Sequence, residues 1–414
     1  MANQILTPTQ ITREAARILY NNLAFTKGVN RNYDDTFMLG GAKVGTTINM
    51  RLPARYLGTI GSALATEDQT ETSRALTLNT QFHVDVTFTT VELTMQLQDF
   101  SERVLQPAIA EIANHIDTDG LMMAKNNTFN AVGTPGTTPN ALLTYATAGA
   151  YMSQEGTPRD GLRTMILEPL GMATIVDTLK GLFQQSDQIG EQYMQGLMGR
   201  ALGFKWAEDQ NVAVQVVGPQ GGTPLVAGAS QGLLVGWAPY TDLLTNGWSA
   251  AAAVRLNRGD IITIAGVFAV NPRNRQSVGR LRQFVVASQT EGAISSDASG
   301  NATIRVRPAI IAGGQFQNVT LQPANGAAIT VLGAANAQGP RNIAYHRDSF
   351  VLGMADLEIP EGVHFAARVS DKQLGISIRM VRQYTINNDS IPARFDVLYG
   401  WAPLIPEMAC AICG

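Results

Sequence analysis

Cysteine, histidine and lysine are all scarce in this chain of 414 residues. It has two cysteines, four histidines and, among its 30 basic residues, six lysines against 24 arginines. Two cysteines exclude a disulfide framework and suit a reducing compartment. Charge is sparse as well, at 15% of residues, where soluble proteins average roughly 25%. A net charge of −3 is a poor match for gripping phosphate backbones. Apolar residues still reach 45%, which excludes disorder and lets a chain this long bury the cores of two or three folding units. The opening Met-Ala-Asn-Gln-Ile-Leu-Thr-Pro lacks the basic flank and apolar run of a secretory leader. Residues 126–154, 210–241 and 308–340 carry no charge, but Gly, Pro, Asn and Gln interrupt each of them, so none reads as a membrane span. The expectation is a soluble, cytoplasmic chain whose weakly charged surface is covered by other protein, most simply by copies of itself.

Catalytic signatures are equally thin. There is no His-Glu-x-x-His and no phosphate-cradling Gly-x-x-x-x-Gly-Lys-Ser/Thr loop. Residues 228–232 read Gly-Ala-Ser-Gln-Gly, which matches a nucleophile elbow at Ser230, and Asp260 or Asp356 with His346 or His364 would supply a serine hydrolase's order. Gly236 and Pro239 then forbid the long helix that such an elbow needs, which favours a plain glycine turn. Cys410 and Cys413 have C-x-x-C spacing, but a structural zinc needs four ligands, so buried, reduced thiols are the reading. His115, between Glu111 and Asp119 on a helical pattern, reads as a surface pair rather than a metal site. Arg258-Gly259-Asp260 reads as a turn entering a strand. Arg273, Arg275, Arg280 and Arg282 form a basic cluster without interleaved aromatics, hence a solvated loop or a subunit contact rather than a nucleic-acid site. No cofactor, metal or catalytic residue is expected.

What is there is architecture. Residues 12–23 carry a short amphipathic helix pattern (Ala15, Ile18, Leu19, Leu23). Two alternating runs, Ile48–Leu52 and Phe82–Phe88, read as a pair of strands separated by a polar excursion of about thirty residues, far longer than a turn requires. Residues 98–126 carry the strongest helix pattern, with Phe100, Val104, Ala108, Ile112 and Ile116 at i, i+4 spacing, and would span roughly 40 Å. A strand at 162–167 and a helix at 172–183 follow. From 212 onward short β runs take over (212–217, 261–270, 284–287, 303–306, 318–321, 329–332), separated by turn residues, which predicts a barrel or sandwich inserted in the chain. Residues 376–384 and 395–402 are further strands.

This order of parts resembles the major capsid proteins of tailed bacteriophages with the Hong Kong 97-like fold, and among them the short-tailed-phage coat proteins that carry an inserted barrel. Met165-Ile166-Leu167-Glu168-Pro169 resembles the entry to that family's axial domain, and Gly199-Arg200-Ala201-Leu202-Gly203-Phe204 its glycine-flanked segment. Residues 258–267 are similar to a strand of that family's insertion domain, and residues 342–350 and 396–401 to its later segments. The resemblance implies an α+β fold with an N-terminal arm (1–45), an extended loop (46–90), a peripheral domain with a spine helix (91–158), an axial domain (159–217), an inserted β-barrel (218–338), and a return that completes the axial and peripheral domains (339–414). It implies a major capsid protein that self-assembles into the icosahedral head around phage double-stranded DNA. The implied partners are copies of itself in hexamers and pentamers, a scaffolding protein, a portal protein and a decoration protein. Contact candidates between subunits are Arg51, Arg55, Glu67, Asp68, Glu71, Arg74, Arg273 and Arg275. A nanocompartment shell of the same fold, holding protein cargo, is the alternative. Some relatives weld their shells through a lysine on the extended loop; residues 46–90 contain none here.

Overall fold

The computed structural model describes residues 25–31, 47–64, 66, 71–89, 106–179, 199–288, 292–371 and 376–414. The expected helix at 12–23, the first turns of the helix expected from 98, and Glu67 and Asp68 lie outside them. Two compact units emerge.

The first unit draws on residues 1–50, 74–120 and 350–402. Its sheet is organised around the long strand Ser390–Pro403, paired along ten residues with strand Thr80–Thr89, from Ser390↔Thr89 to Tyr399↔Thr80. Strands Ile376–Arg382, Phe365–Asp371 and Phe350–Ala355 complete it. Phe82, Val84 and Val86 are half-buried while His83, Asp85 and Thr87 are exposed, the alternation expected of a sheet with one wet face. Helix α1 is described over Gln106–Asn127. Its 22 residues span about 33 Å. Ala108, Ile109, Ile112, Ala113 and Ile116 are buried, as the periodicity predicts. Gly120 is required by close approach: a Cβ there would lie 2.6 Å from the Trp401 ring, whose Nε1–H donates to the Ile116 carbonyl.

One expectation fails here. The runs at 48–52 and 82–88 are both strands but not partners. Strand Thr47–Arg51 pairs with Ser73–Thr77, a segment without a strong alternating signal, and Thr80–Thr89 pairs with Ser390–Pro403, more than 300 residues away. Alternation says which side of a strand is buried, not which strand lies beside it.

The second unit gathers residues 51–73, 121–349 and 403–414. A seven-stranded sheet runs in the order Ala131–Gly133, Ala409–Cys413, Gln338–His346, Arg163–Leu167, Phe204–Glu208, Arg200–Ala201, with Val214–Val216 on the far end of Gln338–His346. Helices α2 (Leu142–Gln154) and α3 (Pro169–Leu179) share a core with it, formed by Tyr145, Met152, Met165, Leu167, Met172, Ile175, Phe204, Trp206, Cys410 and Ile412. Helix α2 went unpredicted. Its buried residues Tyr145, Ala148, Gly149 and Met152 have helical spacing, but Gly149, Thr144 and Thr147 mask it. The glycine is functional packing, since a Cβ would sit 3.1 Å from the Phe204 ring.

Residues 222–331 supply a six-stranded sheet in the order Ile329–Val331, Ile261–Val270, Ser277–Ala287, Ala302–Arg307, Thr241–Trp248, Gly222–Val226. The Leu225↔Ala328 bridge and the bond from Val226 N–H to the Ala327 carbonyl join the first strand to the last, so the sheet closes as a barrel. Opposed pairs Leu243↔Ile304, Val286↔Val306, Ile262↔Phe284 and Ile264↔Ile329 point inward into one core. Each such side chain contributes about 1.5–3 kcal/mol of burial. The expected strand at 318–321 is reduced to a single bridge, Ala269↔Val319, and strands Gly222–Val226 and Thr241–Trp248 were not anticipated.

Candidate functional site

The long excursion starts as a clamp. Leu52 N–H donates to the Thr72 carbonyl at 2.8 Å, and Arg51 faces Glu71 at 3.8 Å, both well exposed. An ion pair so open to water is worth little by itself. Beyond it the chain leaves its own core: every residue of 58–64 is exposed, with Ile60 at 107% and Leu64 at 90% of full accessibility. Two large aliphatic side chains held in solvent are out of place on an isolated subunit.

The other contact candidates fall into place nearby. The Arg55 guanidinium lies 5.9 Å from the Phe316 ring, at the edge of cation–π range. Arg275 donates from Nη2 to the Tyr56 carbonyl at 2.7 Å. Arg273 packs its side chain against Gly156, whose Cβ would lie 3.2 Å from Nε. Arg74 is half-buried in strand Ser73–Thr77.

The basic cluster is not a solvated loop throughout. Arg282 is 1% exposed and donates to Glu155 at 2.5 Å, while Arg280 donates to the same carboxylate at 3.0 Å. Phe129 lies 4.6 Å from the Arg282 guanidinium, and Tyr151 4.2 Å from that of Arg280. Two of the four arginines therefore tie barrel strand Ser277–Ala287 to the end of α2. The missed partner had a signal: Glu155 is the first charge after the uncharged residues 126–154.

The chemistry-bearing candidates are engaged in structure. Ser230 sits at φ 59° on an exposed loop, and a strand rather than a helix follows it. His346 is buried and bonds through Nε2 to Asp160 at 3.1 Å; the Leu162 N–H, then His346, hold that carboxyl below its ordinary range. Asp260 accepts from Gly218 N–H and Asn257 N–H and from Gln215, which makes Arg258–Asp260 the turn expected, and burial pushes its carboxyl up. His115 stacks on Phe82 at 3.8 Å and meets the Tyr399 hydroxyl at 2.7 Å; that hydroxyl donates to Asp119, so this is a packed network rather than a loose surface pair. Among the described residues no group of three or more His, Cys, Asp or Glu is placed to hold a metal, and no helix is long and apolar enough to cross a membrane.

Cys410 and Cys413 are both free and wholly buried on strand Ala409–Cys413, and burial pushes both thiols up. Since only the thiolate reacts, a disulfide-exchange reagent at pH 8 should titrate no thiol in the native chain and two after denaturation. Prompt native labelling would contradict this packing.

A family model, the P22 coat protein (gene protein 5), matches residues 44–414. The chain belongs to the P22 coat protein family. It is the major capsid protein of a tailed bacteriophage, a component of the virion that assembles with copies of itself. No curated protein sequence matches it. Among solved structures, this coat protein is similar to a chain from Mycobacterium phage Che8 (10% identity, 94% of this chain and 90% of that one, TM-score 0.44). It is also similar to one from the capsid of cyanophage P-SCSP1u (10% identity, 93% and 88%, TM-score 0.42). The CUS-3 coat protein I-domain matches 27% of the coat protein and 97% of its own length at 22% identity and TM-score 0.20. Likenesses this loose carry no weight beside the family match.

Proposed function

We propose that this coat protein closes an icosahedral head from hexamers and pentamers around double-stranded DNA, in the cytoplasm of a bacterial host, with a scaffolding protein, a portal protein and in some settings a decoration protein. Its role is structural, without catalysis. The observation that supports this reading is the exposed apolar segment at 58–64, carried away from the chain's own core on a clamped base. In this reading the loop 46–90 lies over an adjacent subunit. Arg51, Glu67, Asp68, Glu71, Arg74 and Arg273 contact that neighbour, while Arg55 and Arg275 hold the loop from within. Residues 159–217 with part of 339–414 form the axial domain, 91–158 the peripheral domain and 1–45 an arm. Residues 218–338 form an inserted domain able to fold alone. Electron microscopy of the chain expressed with its scaffold should show closed shells; soluble monomer at every concentration would defeat the proposal.

Covalent welding is not part of it. An isopeptide needs a neutral lysine amine shielded from water beside a carboxylate, and residues 46–90 offer Arg51, Arg55 and Arg74 instead, whose guanidinium groups are not nucleophilic. Mature shells boiled in detergent with reductant should run as one band at the monomer mass. A ladder of higher species would overturn this, with Lys43 the first residue to replace.

A further inference from the structure

Among the described residues the barrel and the extended loop of one chain meet at Arg275–Tyr56 and at Arg55–Phe316, and the geometry of the first is specific. Arg275 stands in the turn between strands Ile261–Val270 and Ser277–Ala287, with φ at +55°, a left-handed conformation rare for a long side chain. The turn is heavily braced. Asn271 N–H donates to Gln276 O and Arg275 N–H to Asn271 O, while the side chains of Asn271 and Asn274 accept from Arg273 N–H and Gln276 N–H. A braced turn in a strained conformation fixes the direction of its side chain. That direction brings Nη2 to 2.7 Å from the carbonyl of Tyr56. One residue before, Arg55 lies over Phe316, which is buried with Ala309 and Ile311 in a small apolar cluster of the same chain. Past this double contact, residues 58–64 are wholly exposed.

We infer that Arg275 and Phe316 form a latch by which the barrel aims the loop of its own chain, so that the apolar tip at Ile60 and Leu64 is presented in one direction to a second copy. The inference rests on the proposed docking of the loop on a neighbour and adds what sets its direction. The clamp at Leu52 and Thr72 fixes only where the loop leaves the sheet. Without the latch, Pro53 to Tyr56 lose both of these holds, and each encounter with a neighbour must first order them again. With it, that ordering is complete before the encounter, which raises the productive fraction without adding any contact between subunits. The barrel thus acts on assembly through its own chain, and Arg275 is a positioning residue.

The test uses the full chain. Arg275→Gly removes the guanidinium at a φ that glycine prefers, so the turn keeps its shape; Arg55→Gln removes the second point. Ser62→Cys with Ser299→Cys supplies two exposed labelling sites, and the buried native thiols stay unlabelled. Nitroxides there should give a narrow distance distribution in the monomer that broadens in both variants. Assembly should slow roughly tenfold, the scale of one hydrogen bond to a charged group or one cation–π contact, with monomer unfolding unchanged for Arg275→Gly. Unchanged distances or parental assembly rates in Arg275→Gly would overturn the latch. Replacing residues 58–70 by a short Gly-Ser linker separates the two ideas. If that variant fails to assemble while Arg275→Gly behaves as the parent, only the latch is lost. If the linker variant also assembles normally, the docking reading falls.

Discussion

Glu155→Ala should lower the stability of the folded monomer by about 3–5 kcal/mol, the cost of removing one partner from a buried ion pair. The carboxylate is 5% exposed and serves two guanidiniums, Arg282 and Arg280. Arg282 is itself 1% exposed and covered by the Phe129 ring, so losing Glu155 strands a charge that water cannot reach. Arg280 retains acceptors in Gln154 and Asn130, at 3.1 and 3.2 Å, and is the less affected. Glu155 is also the residue that ends α2, where the helix carbonyls already favour cations. Glu155→Gln keeps the acceptor without the charge and should lose about half as much. The double variant Glu155→Leu with Arg282→Met should regain most of the loss, because the fully buried guanidinium leaves with its partner while Arg280 keeps Gln154 and Asn130 as acceptors. Urea titration followed by tryptophan fluorescence reads all three. A Glu155→Ala midpoint within 1 kcal/mol of the parent would mean that the pair contributes nothing to holding strand Ser277–Ala287 against α2.

These residues show where sequence reading stops. Strand Ile261–Val270 was legible to both ends because the run is apolar and β-branched and is bounded by Arg258–Asp260 and Asn271. The stripe on α1 was legible because local spacing alone decides a helix face. Pairing is different. Strand Thr80–Thr89 finds its partner more than 300 residues later, and nothing in its alternation names that neighbour. Arg282 misled for a related reason: four arginines in ten residues look solvated until Glu155, 127 positions away, is brought against one of them. Its position two and four residues before the buried Phe284 and Val286 was the available hint. The contact candidates on the loop were chosen by charge. The structure adds the uncharged Tyr56, Ile60 and Leu64, exposed where a soluble monomer gains nothing from them.

Replacing residues 58–70 by a short Gly-Ser linker should leave the monomer folded and abolish shells. Residues 58–64 are all exposed, so no described core is opened and the unfolding midpoint should move by no more than about 0.5 kcal/mol. The Leu52–Thr72 bond and the Arg51–Glu71 pair survive the change and keep strands Thr47–Arg51 and Ser73–Thr77 in register. What is lost lies between subunits. Ile60 and Leu64 buried on a neighbour would contribute roughly 3–6 kcal/mol together, and even the lower figure weakens one contact about 150-fold. A closed shell repeats that contact at every subunit, so the losses compound along the assembly path and the particle fails at concentrations where the parent is complete. Sedimentation with the scaffold present should find monomer only. Ile60→Ser with Leu64→Ser should reproduce much of the defect, which assigns it to apolar burial rather than to loop length. Full-sized shells from both variants would place the energy of closure elsewhere, and the exposed aliphatic pair would then need another partner.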